Sequence, residues 1–157
     1  MTATEHRQKR GGARSAARLA AVQALFQIEQ DAESAPGSVV AQFRAHRLGR
    51  EVDGSLYAEA DAAFFEDIVL GASGRCAEID DHVSGALSAG WRIGRLDSVL
   101  RAILRAGCYE ILARPDVPTP SIINEYVDIA HAFFEGSEPG FINGVLDAIT
   151  RTLRGRE

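Results

Sequence analysis

Apolar residues along this chain recur three and four apart almost everywhere, and no stretch alternates with the period of two that a half-buried strand requires. The spacing predicts a first helix from about Ala13 to Gln30, with Leu19, Val22, Leu25 or Phe26, and Glu29 in a 3-4 rhythm. "DAESAPGS" (31–38) breaks it, and a short helix over 37–47 carries Val39, Val40 and Phe43. "RLGREVDGS" reads as a loop. From Leu56 a long stripe follows through Phe64, Phe65, Ile68, Val69, Ala72, Cys76, Ile79, Val83, Ala86 and Leu87. Gly71 and Gly74 interrupt it, which predicts two helices or one kinked helix.

"SAGWRIGRL" (88–96) is a connector, with Trp91 expected to be pinned against the core. Asp97 or Ser98 can cap a fifth helix running to about Arg114, the most apolar stripe in the chain. "RPDVPTPS" ends it. Thr119 as N-cap with Pro120 at the first helical position starts a sixth helix to about Glu135. "EGSEPG" then turns the chain into a last helix from Phe141 to about Leu153. The expected fold is all-α, with about seven helices.

Charge changes the picture at one end. The net charge is −5, yet Arg7, Lys9, Arg10, Arg14 and Arg18 stand within the first eighteen residues against the single acid Glu5. That segment carries +4 and the remainder −9. The division predicts a flexible basic arm (1–12) ahead of a single all-helical domain (13–157). Arg14 and Arg18, four apart, share one helix face. Such a cluster can neutralise phosphates and fold on binding, or it can be a solvated leader without a partner. Arg101 and Arg105 repeat the spacing on the fifth helix, so their face is either exposed or paired to an acid. Phe133, Phe134 and Phe141 crowd the turn between helices six and seven, where an exposed ring beside basic groups can stack on an unpaired base.

Candidate chemistry adds little. Neither a phosphate-binding glycine loop nor a nucleophile or zinc motif is present. Glu110 and Glu125 could form a buried acid pair for proton transfer or accept structural hydrogen bonds, and the second reading is preferred. His131 falls on the polar side of its helix, and no histidine spacing suits a metal. Cys76 and Cys108 read as small buried hydrophobes, with a disulfide or metal role as the alternative. Gly144 inside "FINGVLDAI" costs roughly 1 kcal/mol relative to Ala. A helix crossing that a Cβ would block is the expected compensation, with Asn143 bonding there to a backbone group or to Glu125. No run reaches the length of a membrane span and the polar start is no secretory signal, which points to a cytoplasmic protein.

Four stretches together resemble the NusB family of bacterial transcription antitermination factors: "AVQALF" (21–26), "FFEDIVLGA" (64–72), "LDSVLRAILRAGCYEIL" (96–112) and "DVPTPSIINEYVDIAHAFFEGSEPGFINGVLD" (116–147). The resemblance covers roughly residues 14–153. It implies two packed helical subdomains in one compact domain, no catalysis, no cofactor and no metal. It also implies binding of the boxA element of nascent RNA, a single-stranded target, together with ribosomal protein S10 (NusE). The complex joins other Nus factors and RNA polymerase to suppress termination, chiefly in ribosomal RNA operons.

By this likeness the arm, with Arg7, Lys9 and Arg10, and Arg14, Arg18 and Phe26 correspond to the RNA-contacting first helix. Arg101 and Arg105 fall on the fifth-helix contact region, and Phe133, Ser137 and Phe141 on that of the last turn. The S10 contacts map to helices four and five and nearby loops. Two departures are visible: the interval before the first helix reads "GGARSAAR", with the basic run upstream in "RQKR", and the turn between helices six and seven has Phe134 and Gly136 with acidic and polar residues that differ from the common pattern. Two other classes remain open, an RNA-binding domain of a ribosomal RNA cytosine methyltransferase and a plain protein-interaction domain.

Overall fold

The computed structural model describes residues 3–46 and 61–155, with side chains in the first helix from Gly12 onward. Seven α-helices stand among these residues: α1 (Ala3–Gln30), α2 (Pro36–His46), α3 (Ala62–Gly74), α4 (Cys76–Ala86), α5 (Ser98–Ala113), α6 (Thr119–Phe133) and α7 (Glu138–Leu153). A 3₁₀ turn, Ile93–Arg95, precedes α5. Every regular element among the described residues is helical, and none of these helices is long and apolar enough to cross a membrane. The predicted loop at 47–55 and Leu56 lie outside the described residues.

Several boundaries differ from the sequence expectation; the N-cap of α6 is Pro118, and Thr119 is the first helical residue rather than the cap. α1 begins at Ala3 rather than near Ala13. Gly11 and Gly12 each cost about 1 kcal/mol in a helix but do not forbid it, and good helix formers precede them. α7 begins at Glu138, one turn before Phe141, because Pro139 suits the first turn of a helix.

The chain forms two units, residues 1–70 and 71–157, divided inside α3. In the first, α1 buries alanines as much as large residues: Ala17, Ala21 and Ala24 are fully buried beside Val22 and Leu25, while the expected stripe residue Leu19 is exposed. α2 packs on α1 and contributes Val39, Val40 and Phe43. The Phe43 ring stacks on Phe65 of α3 at 5.5 Å. Asp61 ties the start of α3 to α1. Its backbone N–H donates to the Ala13 carbonyl at 3.0 Å, while its carboxylate caps the Phe64 N–H at 2.9 Å.

The second unit is built around α5, which packs on α4, α6 and α7. Eleven of its residues between Leu100 and Ile111 are buried, as expected of a helix that is covered nearly all round. Asp97 caps it, accepting from the Val99 and Leu100 N–H groups at 2.8 and 3.3 Å, a contribution of about 1 kcal/mol. Buried Glu110 accepts a hydrogen bond from the hydroxyl of fully buried Tyr126, which joins α5 to α6. This carboxylate has a structural partner, and Glu125 on the next helix is half-buried.

The glycine expectation needs correction. Gly144 and Asn143 both lie on the exposed face of α7, and a Cβ at Gly144 would meet nothing within 4 Å. The close helix approach occurs instead at Gly107 of α5, where a Cβ would stand 3.0 Å from both Leu146 methyl groups and 3.3 Å from the Tyr126 ring.

At the far end of α5, Arg154 closes the unit. Its guanidinium donates to the carbonyls of Glu110, Ile111, Arg114 and Val117 and to the Thr119 hydroxyl, at 2.8 to 3.2 Å. Carbonyls at a helix C-terminus lack partners inside the helix and carry partial negative charge, so a cation with a fork of donors suits them.

Candidate nucleic-acid interface

The predicted RNA-contacting residues divide into those the fold has taken inward and those it leaves at the surface. In the first unit, Arg14 and Arg18 do share one face of α1, but that face meets the Phe64 ring. Their guanidinium carbons stand 4.6 and 4.9 Å from its centroid. A guanidinium over an aromatic face gains roughly 0.5–2 kcal/mol, more as it loses water. Arg18 is only 4% exposed, which corrects its assignment as an RNA contact. Arg14 remains half-exposed, with Asp61 at 3.9 Å. Phe26 is half-buried near the end of α1. The side chains of Arg7, Lys9 and Arg10 lie outside the described residues.

The basic pair of α5 is also engaged. Arg101 is 9% exposed, and its guanidinium donates to the Leu96 carbonyl at 2.7 Å, the Ile93 carbonyl at 3.1 Å and Ser98 Oγ at 3.3 Å. It braces the connector, a correction to its expected RNA role. Arg105 forms a two-pronged ion pair with Asp80 of α4. Of the alternatives open for that face, the acid pairing is the one found at Arg105.

The turn between α6 and α7 is different. Phe133, the last residue of α6, is 44% exposed. Ser137 is exposed at the N-cap of α7, and its hydroxyl makes no capping bond. One turn later, Phe141 is half-buried. Its ring meets Trp91 with centroids 5.9 Å apart and planes inclined by 40°. Trp91 was expected in the core; it is 59% exposed. The correction has a local cause. The Trp91 N–H bonds back to the Ser88 carbonyl at 3.0 Å, closing a turn whose third residue, Gly90, has φ +91°. A Gly at that position is the requirement of such a turn, and "SAGW" carries the signal in sequence.

This arrangement offers aromatic faces to solvent at one end of the second unit. Among the described residues there is no group of three or more His, Cys, Asp or Glu side chains able to hold a metal. Cys108 is buried, and burial pushes its thiol up to about 12, with Asp80 and Glu78 adding to the effect; Cys76 is half-buried. A surface of rings and polar groups can stack on bases and bond their edges.

Comparison with known proteins gives a consistent result. The family model described as "NusB family" matches residues 15–151. A transcription antitermination protein NusB from Sphingopyxis alaskensis is 50% identical over 146 residues, covering 93% of this chain and 97% of the relative. Its counterpart from Caulobacter vibrioides is 52% identical over 141 residues, covering 90% and 94%. Among solved structures, a crystal structure of the antitermination factors NusB and NusE in complex with double-stranded RNA contains a similar chain. That chain is 26% identical, with a TM-score of 0.70 over 88% of this chain and 96% of that one.

Proposed function

This chain belongs to the NusB family, and on that premise we propose that it is a transcription antitermination factor, a binding protein rather than an enzyme. It binds boxA-type nascent RNA together with ribosomal protein S10 (NusE), in the cytoplasm. With other Nus factors and RNA polymerase, the complex suppresses termination, chiefly in ribosomal RNA operons. The observation that carries the reading is the likeness to antitermination proteins along nearly their whole length. The likeness to a NusB chain solved with NusE and RNA supports the choice of partners.

The site narrows the contact set. Arg18, Arg101 and Arg105 are held by partners within the fold, so the proposed contacts are the basic residues Arg7, Lys9, Arg10 and Arg14 with Phe26, and the turn residues Phe133, Ser137 and Phe141. Outside the first eighteen residues the chain carries −9, which repels phosphates. RNA binding by the protein alone is therefore weak at physiological salt. A basic ribosomal protein on the acidic surface cancels that repulsion and adds phosphate contacts of its own. Coupling of about 1–3 kcal/mol, or roughly 5- to 150-fold in affinity, is the expected size.

Titration of boxA RNA and a scrambled RNA of equal length, with and without NusE, tests the reading. NusE should tighten boxA binding, and the scrambled RNA should bind less tightly. Failure of NusE to bind or to tighten RNA binding, with both RNAs bound alike, would refute it.

A further inference from the structure

We propose that the connector before α5 is an RNA-binding element in its own right, in which Trp91 and Phe141 form a stacking platform for an unpaired base while Arg92 and Arg95 take the flanking phosphates. The proposal rests on the RNA-binding reading above and extends its contact set from Phe141 to Trp91, Arg92 and Arg95, which that set does not contain.

Three observations carry it. Trp91 is the chain's single tryptophan and the most exposed of its described large hydrophobic side chains, at an energetic cost that a soluble fold ordinarily avoids. Its exposure is built in, because the positive-φ turn at Gly90 and the hydrogen bonds from Arg101 to Ile93 and Leu96 fix the connector on both sides of it. A platform held this way loses little conformational entropy on binding. The second ring, Phe141, lies beside the first at a 40° tilt, and Trp91 still keeps more than half of its surface exposed.

The third observation is charge. Arg92 and Arg95 are both exposed, and among the described residues no carboxylate pairs with either guanidinium. The nearest acid in sequence, Asp97, already spends its carboxylate on the start of α5. Aromatic rings beside unpaired guanidiniums suit single-stranded nucleic acid, since every base has a face to stack and every link has a phosphate. A duplex hides those faces.

Because Trp91 is the sole tryptophan, its own emission reports the contact. A short fluorescein-labelled boxA RNA, and the same strand annealed to its complement, are titrated into the protein alone at low salt. Label anisotropy and tryptophan emission are followed together. The single strand should quench Trp91 and the duplex should bind without comparable quenching. Trp91→Ala should weaken single-strand binding about 5- to 150-fold, the range for loss of one base–aromatic stack, and Trp91→Phe should restore most of it. Replacing both Arg92 and Arg95 by Ala should lower the log–log salt slope by roughly 0.7 for each lost contact. Circular dichroism establishes that each variant is folded. If anisotropy shows RNA bound while Trp91 emission and the affinity of Trp91→Ala stay unchanged, the platform is refuted and the RNA-binding reading stands. Loss of NusE capture by Trp91→Ala with RNA binding intact would make it a protein-docking surface instead. If no RNA binds by either readout, the platform is refuted, and the titrations with NusE decide the reading beneath it.

Discussion

The Tyr109 ring crosses α3 directly over Gly71, so closely that a Cβ on Gly71 would overlap Tyr109 Cζ. Both belong to the second unit, and Tyr109 is buried, so the ring has little room to retreat.

Gly71→Ala should therefore destabilise the protein by about 1–3 kcal/mol, the range for an overpacked core site. Gly144→Ala, on an open helix face, should instead stabilise it by up to about 1 kcal/mol through helix propensity. Urea unfolding of the two variants checks the contrast. In a Tyr109→Leu background the cost at Gly71 should shrink, because the ring that causes it is gone. Equal effects at the two glycines would contradict the contact.

The Arg105–Asp80 pair predicts a loss of stability rather than of binding. Both groups are largely shielded from solvent, and each holds two hydrogen bonds to the other, at 2.8 and 2.9 Å. Arg105→Ala leaves the carboxylate of Asp80 without this partner and should cost about 1–3 kcal/mol. A double-mutant cycle with Asp80→Asn should return most of that as coupling energy. Below the melting transition, RNA affinity should be unchanged; a marked loss would return Arg105 to the contact set.

Removing the Arg154 side chain leaves four carbonyls around the end of α5 without that donor. Arg154→Ala should cost about 3 kcal/mol, in line with loss of hydrogen bonds from a charged group. Arg154→Lys should recover only part of it, because an ammonium lacks the planar fork that reaches several carbonyls at once. Thermal melts of the two variants decide this. Equal melting temperatures for Lys and Arg would mean that charge alone matters.

Burial of Cys108 gives a dependence on alkaline pH. The folded protein keeps the thiol protonated up to about 12, whereas the unfolded chain releases it near the ordinary value of 9.0. Between those values the unfolded state binds fewer protons, so stability falls as pH rises, by up to about 1.4 kcal/mol per pH unit. Below about pH 9 the contribution is fully present. Cys108→Ala should unfold in urea with a shallower alkaline decline than the parent protein, and identical slopes would count against the effect. A thiol reagent at neutral pH should label half-buried Cys76 before Cys108.

What was readable in the sequence follows from what periodicity encodes. Helix identity and the core residues Phe64, Phe65, Ile68, Val69, Ile79 and Val83 follow from apolar spacing, and all six are buried. Spacing also places Arg14 and Arg18 on a shared face. It cannot say whether that face meets water or a ring, and here Phe64, some fifty residues away, decides it. Glycines show the same boundary. A glycine inside a helix signals a close approach, but whether it falls at Gly71, Gly107 or Gly144 depends on which neighbour crosses there. The exposed Trp91 had a usable sign, a Gly-Trp turn followed by two arginines in a polar connector, whereas large aromatic size alone argued for the core.

The Arg154 clasp also has a consequence in time. Its partner Ile111 precedes it by 43 residues in the chain. At about 5–20 residues per second, synthesis separates the two by roughly two to nine seconds. During that interval α5 can form and bond Arg114 N–H to the Glu110 carbonyl, but the carbonyls at its end lack the charged donor that later gathers them. The clasp therefore cannot close until the end of α7 has been made, and it joins the second unit's contacts late in synthesis.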